Sequence, residues 1–331
     1  MEFTRNKTLK YDDLISVNEL LKTGLSLKQS LDLIINKDNK EIINSIIEKL
    51  DTGKQIEEVI IEYLPKNISL YLNSLIKNMS FNNSLNLTLA FIDKNKENAK
   101  TFMSSFLYPF ILLFVSLSAL YIFDAYGLDT ILNMLNSFVK DVGGIKIFRI
   151  VLRVVVYIFY FLLLLILFGI LYFFNNRNIT LFYILVCKYL PNTIVQKYFC
   201  VEFISLLNIC INNGYKSKDS LNILKSLHNK PIVSFLAFHL DEKLLEGTSL
   251  KDASKQDYYD YSLSKFINIG TYSLSFLKIL NDYINLNTNL IKAKMKKLAL
   301  SIQLVTYVLI GVVIIFVYQI LFLPMNALAN F

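Results

Sequence analysis

The sequence predicts an all-α, polytopic membrane protein with two homologous cytoplasmic antiparallel helical bundles and three transmembrane helices. Three observations carry that prediction. Long uncharged apolar runs interrupt an otherwise charged chain. One helical design is stated twice, with Gly24 and Gly214 190 positions apart. Between the apolar runs, hydrophobic residues recur at helical spacing, and glycine and proline number only 10 and 5 in 331 residues.

The apolar runs come first because composition demands them. The hydrophobic share of 54% and a mean hydropathy of +0.45 are too high for an ordinary soluble chain of this length. Val154 to Phe174 has no polar side chain beyond its tyrosines, and 21 helical residues suffice to cross roughly 30 Å of hydrocarbon. Phe102 to Phe123 is a second uncharged run, broken only by serines, tyrosines and Pro109. Leu298 to Met325 is a third. The organisation read from these is a bundle at 1–101, a span at 102–123, an outer loop at 124–148 and a span at 149–174, followed by a second bundle at 175–297, a span at 298–325 and a tail at 326–331. Residues 1–30 mix both charge signs and lack an apolar core, so no cleaved leader is expected.

Charge orients this arrangement. Residues 1–101 carry 14 basic and 14 acidic side chains, whereas 175–298 carry 16 basic and 9 acidic ones. Lys292, Lys294, Lys296 and Lys297 abut the third run, and positive residues beside a span stay cytoplasmic. Two spans separate the bundles, so both are expected in the cytoplasm of a cell-membrane protein, with the loop and the C-terminus outside. Arg149 and Arg153, at the outer end of the second run, count mildly against this. The basic excess is accounted for by topology and anionic headgroups, and direct nucleic-acid binding is not expected: no basic stretch is interleaved with aromatics.

Within the bundles the periodicity is helical. Leu27, Leu31, Ile34 and Ile35 share a face, as do Ile42, Ile46 and Leu50. In the second copy Phe199, Phe203, Leu206, Leu207 and Cys210 form one apolar stripe. Aligning Gly24 with Gly214 also brings Ser30 onto Ser220 and Leu31 onto Leu221. Further on, Leu50-Asp51-Thr52-Gly53 answers Leu244-Leu245-Glu246-Gly247. Gly24 and Gly214 read as helix C-caps ahead of new helices that begin near Ser26 and Ser217. Pro65 is read as ending a helix, Pro191 as breaking the path from the second span into its bundle, and Gly143-Gly144 as a turn. Pro109 and Pro324 are expected to kink or end their spans. The last helix of each bundle, Leu85–Lys100 and Phe276–Lys297, is expected to run on into its span.

Catalytic chemistry is not indicated. Gly53-Lys54-Gln55 lacks the upstream glycine and the Ser/Thr of a phosphate loop, so ATP hydrolysis by this chain is not expected. His228 and His239 have no acidic partner at ligand spacing, and Cys187, Cys200 and Cys210 read as buried apolar residues. No cofactor, metal or catalytic residue is therefore assigned. The spans hold Ser116, Ser118, Gln303, Thr306 and Gln319 but no deep ionisable group, which argues against a transporter. Helix–helix hydrogen bonding is the expected use of these residues.

At this point the run from Phe203 to Gly214, followed by Ser220-Leu221, resembles the repeated signature of the type II secretion F family. Lys188-Tyr189-Leu190-Pro191, Tyr108-Pro109 and Leu323-Pro324 support the resemblance, and the order of domains and spans covers the chain. The family's Gly-Glu-x-x-Gly-x-Leu element is degenerate here: Met79-Ser80-Phe81-Asn82-Asn83-Ser84-Leu85 and Gly270-Thr271-Tyr272-Ser273-Leu274-Ser275-Phe276 both lack the glutamate, and only Gly270 survives of the glycines. Any role of that glutamate is not carried over. The resemblance implies a non-enzymatic inner-membrane platform of a type IV pilus-like machine, itself an oligomer. Its implied partners are a cytoplasmic assembly ATPase, a pilin or pseudopilin, and the lipid bilayer. The short length and the Lys/Asn/Ile-rich composition are similar to those of competence pseudopilus platforms, which serve DNA uptake. Gly24, Leu31, Gly53, Gly214, Leu221, Gly247, Gly270, Pro109, Pro191 and Pro324 are the structural or partner-interface candidates.

Overall fold

Helix and turn account for nearly all of the described residues in the computed structural model. It describes residues 8–127, 129–130, 133, 147, 150–151, 153–154, 157–158, 160–161, 164–165, 168–169, 172, 178–271 and 275–329. Among the described residues there is no strand. The helices are α1 (Tyr11–Lys22), α2 (Leu27–Leu33), α3 (Lys40–Asp51), α4 (Ile56–Glu62), α5 (Lys66–Leu75) and α6 (Phe81–Ile122), then α7 (Ile179–Tyr189), α8 (Ile194–Asn212), α9 (Ser217–Lys225), α10 (Pro231–Leu245), α11 (Leu250–Ala253), α12 (Tyr261–Thr271) and α13 (Phe276–Ala329). The chain divides into two compact units, Met1–Asn98 with Asn176–Asn289, and Ala99–Asn175 with Leu290–Phe331.

The first unit contains both repeats. Repeat 1 buries one stripe of each short helix: Leu14, Val17 and Leu21 from α1, Leu27 and Leu31 from α2, Ile43 and Ile46 from α3, and Ile68 and Leu72 from α5. Repeat 2 does the same around α8, whose Phe203, Ile204, Leu206 and Cys210 are buried, with Leu224, Leu236 and Leu240 packed in from α9 and α10. These spacings of three, four and seven are those of single apolar faces closing on one core. α8 is as apolar and as long as a membrane span, alongside Leu107–Gly127 and Phe276–Ile315. Its burial argues otherwise: most of it lies inside repeat 2, and Glu202 at its middle makes an ion pair with Lys230. Its hydrophobicity serves a protein core.

The second unit holds the apolar ends of α6 and α13. At its centre Leu120 is buried against Tyr160, Leu309 and Val313, so the three apolar segments meet there. A π-helical turn at Phe123–Gly127 follows α6, and its buried Asp124 accepts from Arg153 Nε at 2.7 Å. The expected loop at 124–148 and span at 149–174 lie largely outside the described residues, and those of 149–174 that are described are helical. Gly143 and Gly144 also lie outside them.

Three expectations change. α6 runs through Pro109, which is buried, and α13 runs through Pro324, so neither proline ends its helix. Ser116, Ser118 and Thr306 do not bond across helices. Each hydroxyl donates to the carbonyl four residues back, at 2.7, 2.9 and 2.9 Å, and Gln303 Nε2 donates to Tyr307 Oη at 2.7 Å on its own helix. A hydroxyl on a helix always has that carbonyl within reach, so no neighbouring helix is required. The Gln319 side chain lies outside the described residues. Pro65 opens α5 instead of closing the helix before it, since α4 has already ended at Glu62.

Candidate functional site

The glycines of the repeat define its joints. Gly24, Gly53, Gly214 and Gly247 have φ of +92, +84, +87 and +85°, the left-handed region that side chains disfavour. Gly53, Gly214 and Gly247 sit in matched C-caps. The amides of Lys54, Tyr215 and Thr248 reach back five residues to Lys49, Cys210 and Lys243 at 3.4, 3.2 and 3.1 Å, the Schellman pattern. A Cβ at any of the four glycines would meet no atom within 4 Å, so backbone conformation is the constraint there. After Gly24, Ser26 caps α2 in a box with Gln29; after Gly214 the capping position is Lys216 and Ser217 is the first helical residue. Ser30 and Ser220, both fully buried, donate to the carbonyls of Ser26 and Lys216 at 2.9 and 3.0 Å. Leu31 and Leu221 are core residues of their repeats.

Gly270 answers a different demand. It lies inside α12, and a Cβ there would fall 2.8 Å from Phe276 Cδ2, so it allows the start of α13 to approach. Pro191 occupies the exposed turn between α7 and α8, followed by Asn192 with φ of +60°. Thus the repeat glycines and the Leu31/Leu221 pair recur in matching places in the two repeats. Pro109 and Pro324 stand apart on α6 and α13.

The two repeats meet along a polar seam that these residues do not include. At one end Asn18 Nδ2 donates to Asn86 Oδ1 at 3.2 Å, and Asn86 Nδ2 donates to Asn213 Oδ1 at 2.8 Å, linking α1, α6 and the cap of α8. Mid-seam, Tyr215 Oη reaches Met79 Sδ at 3.6 Å and Ser226 Oγ reaches the Ser74 carbonyl at 3.4 Å. At the far end Lys230 Nζ donates to Glu202 Oε1 at 2.5 Å and to Asn95 Oδ1 at 3.3 Å, while Asn95 Nδ2 bonds the Tyr71 hydroxyl.

That last group is electrostatically tight. The side chains of Lys230 and Glu202 are 27% and 4% exposed, so neither charge has much water. Burial pulls the Lys230 ammonium down, but the Glu202 carboxylate and the Tyr71 phenol outweigh it and hold the lysine above its ordinary value. Burial pushes the Tyr71 phenol up, and pushes Tyr198 up to about 12 with Glu202 adding to the effect. Lys230, Tyr71 and Tyr198 therefore keep one protonation state near neutrality. The arrangement is suited to holding two bundles in register.

A second buried pair belongs to repeat 2 alone. Lys197 Nζ lies 2.5 Å from Asp260 Oδ1, whose side chain is fully buried at the start of α12 and also receives Ser262. Nearby, Tyr183 Oη donates to the Tyr258 carbonyl at 2.6 Å, and Gln196 Nε2 donates to the carbonyls of Asp257 and Tyr259. Cys187, Cys200 and Cys210 are buried free thiols, pushed up by burial to about 11, 12 and 12. His239 contacts Glu242 at 3.3 Å and stacks on Tyr258. Among the described residues no group of three or more His, Cys, Asp or Glu could hold a metal ion.

The seam residues were not singled out by sequence. Glu202 carried the one usable signal, being a lone acid within the apolar stripe of α8. Lys230, Asn95 and Tyr71 are ordinary residue types whose meaning is positional.

Two bundles on one unit, each ending in a helix that enters an apolar segment, is the geometry to set beside known proteins. Residues 14–128 match the family model described as type II secretion system (T2SS), protein F. The match takes in most of repeat 1 and the apolar end of α6, and it supports the family resemblance. Proteins of that family are membrane platforms, not enzymes, and in general they interact with a secretion ATPase and pilins. The match covers about a third of the chain, and beside it stand helices long and apolar enough to cross a membrane. No curated protein matches the chain.

Proposed function

We propose that this chain is the membrane platform of a type IV pilus-like machine, coupling a cytoplasmic assembly ATPase to pseudopilin assembly for DNA uptake in competence. The observation that carries this reading is helix continuity. α6 runs unbroken from Phe81 in repeat 1 to Ile122, and α13 from Phe276 in repeat 2 to Ala329. A tilt imposed on either bundle would be felt along one helix into the bilayer, with no loop in between to absorb it. The ATPase would engage the bundles, and pilin helices would engage the apolar segments, where a hollow of about 570 Å³ is lined by Val115, Ala119, Leu120, Ile310 and Val313.

In this reading both bundles lie in the cytoplasm, with the C-terminus outside. The lysines before the third span carry that orientation, and the opposing Arg153 is already answered by Asp124. The protein acts as an oligomer in this reading, and nucleic acid is not its ligand. A type II secretion or type IV pilus role would use the same parts, and a scaffold unrelated to pili is the reading to exclude.

The test is crosslinking of the tagged full chain in its native membrane, followed by identification of partners. Recovery of an assembly ATPase with a competence pseudopilin supports the proposal, while a secretion pseudopilin or a motility pilin reassigns the machine. Recovery of neither from an expressing strain leaves the scaffold.

A further inference from the structure

α7 is apolar on every side. Of Ile179–Tyr189, only Thr180 and Lys188 are polar by side chain apart from the tyrosines. A helix of that kind is normally covered all round. One face is: Tyr183 and Cys187 are buried against repeat 2, with Tyr183 Oη bonded to the Tyr258 carbonyl. The other face is bare. Leu181, Leu185 and Tyr189, at successive steps of four, are 60, 48 and 68% exposed.

We infer that this face lies in the headgroup–acyl boundary of the bilayer, making α7 an interfacial helix that seats repeat 2 on the membrane. Three observations choose lipid as the occupant. The uncharged run Val154–Phe174 ends seven residues before Leu181, which confines Leu181 to within about 25 Å of the end of that run even for a fully extended chain. Eleven residues make a helix of roughly 16 Å, too short to cross the bilayer, so its apolar face can meet lipid only by lying along the surface. The end of the stripe also has interfacial chemistry: Lys188 Nζ sits 5.4 Å from the Tyr189 ring centre, pairing an aromatic belt residue with a cation free to reach phosphate. The inference requires that the chain be membrane-inserted and is independent of any role in pilus assembly.

The test places a nitroxide on Leu185→Cys, and separately on Leu181→Cys, in the full chain reconstituted into phosphatidylcholine nanodiscs. Collision with oxygen, which concentrates in lipid, is compared with collision with a water-soluble nickel chelate. The native cysteines are buried with raised thiol values, so the unmutated chain supplies the labelling blank. Phe238→Cys on α10, 54% exposed and remote in sequence from any span, supplies the aqueous reference. The expected oxygen-to-nickel ratio at both α7 sites is roughly threefold or more above the reference. A ratio equal to the reference means the face is in water. Protection from both reagents means protein covers it. Either result overturns the inference.

Discussion

Repeat 1 and repeat 2 turn their corners alike but are tied together differently. In repeat 1, α3 is held to α1 by a neutral amide: buried Asn39 donates to Asp13 Oδ1 and to the Ile34 carbonyl, both at 3.0 Å, and accepts from the Asn36 amide at 2.7 Å. In repeat 2 the same helix pair, α8 and α10, is held by the charged couple Glu202–Lys230. Lys230 stands at the capping position of α10, where the helix dipole disfavours a cation. Glu202 must therefore offset both that dipole and the loss of water. The amide tie of repeat 1 serves its own bundle, whereas the ionic tie of repeat 2 also reaches Asn95 across the seam. The two repeats share their joints and differ in their ties.

The strongest challenge to this contrast is Lys230→Met in the full chain. It leaves the Glu202 carboxylate buried without its cation, which costs about 3–5 kcal/mol, whereas Lys230→Met with Glu202→Leu should recover most of that loss. All three cysteines lie in repeat 2, so the temperature at which a thiol-reactive dye begins to label the protein reports on that repeat in particular. Equal destabilisation by the single and double variants would show that the pair is not a unit. Next in size is Asn39→Ala, expected to cost about 1–3 kcal/mol through the donors and acceptors it strands. It should lower the helical melt measured by circular dichroism more than it advances thiol labelling. Simultaneous loss of both signals would instead mean that the repeats unfold as one.

The joints should behave identically. Gly24→Ala and Gly214→Ala each place a side chain in left-handed backbone with open space around it, at about 1 kcal/mol apiece. A difference of more than twofold between them in chemical denaturation would break the equivalence of the repeats. The smallest effect belongs to Lys10→Ala. The Lys10–Asp38 pair is 66% and 69% exposed, and pairs so exposed contribute little, so no resolvable change in melting is expected.

Much of this was legible in the residues themselves. The spacing of Leu14, Val17 and Leu21, the glycine joints and the uncharged runs all act locally, so helices, turns and apolar segments could be read directly. Proline was only half legible: Pro109 and Pro324 were free to kink or to end their helices, and both remain inside them. The membrane serines misled, because a carbonyl on their own helix was always nearer than a neighbour. The seam was hidden because it joins Tyr71 and Asn95 to Glu202 and Lys230, and no periodicity within either stretch records which polar residue will face the other. Composition could not separate α8 from a membrane span either; the paired acid at its centre does.

The seam also sets an order of events during synthesis. Asn86 and its partner Asn213 are 127 positions apart, with two apolar segments between them. At about 5–20 residues per second, roughly 6–25 s pass between their appearances. Through that interval the seam face of repeat 1 has no mate and stays wetted. A newborn chain arrested there would offer Asn86 and Asn95 to any completed neighbour, so the dwell time of the ribosome becomes part of how the protein avoids pairing with the wrong copy of itself.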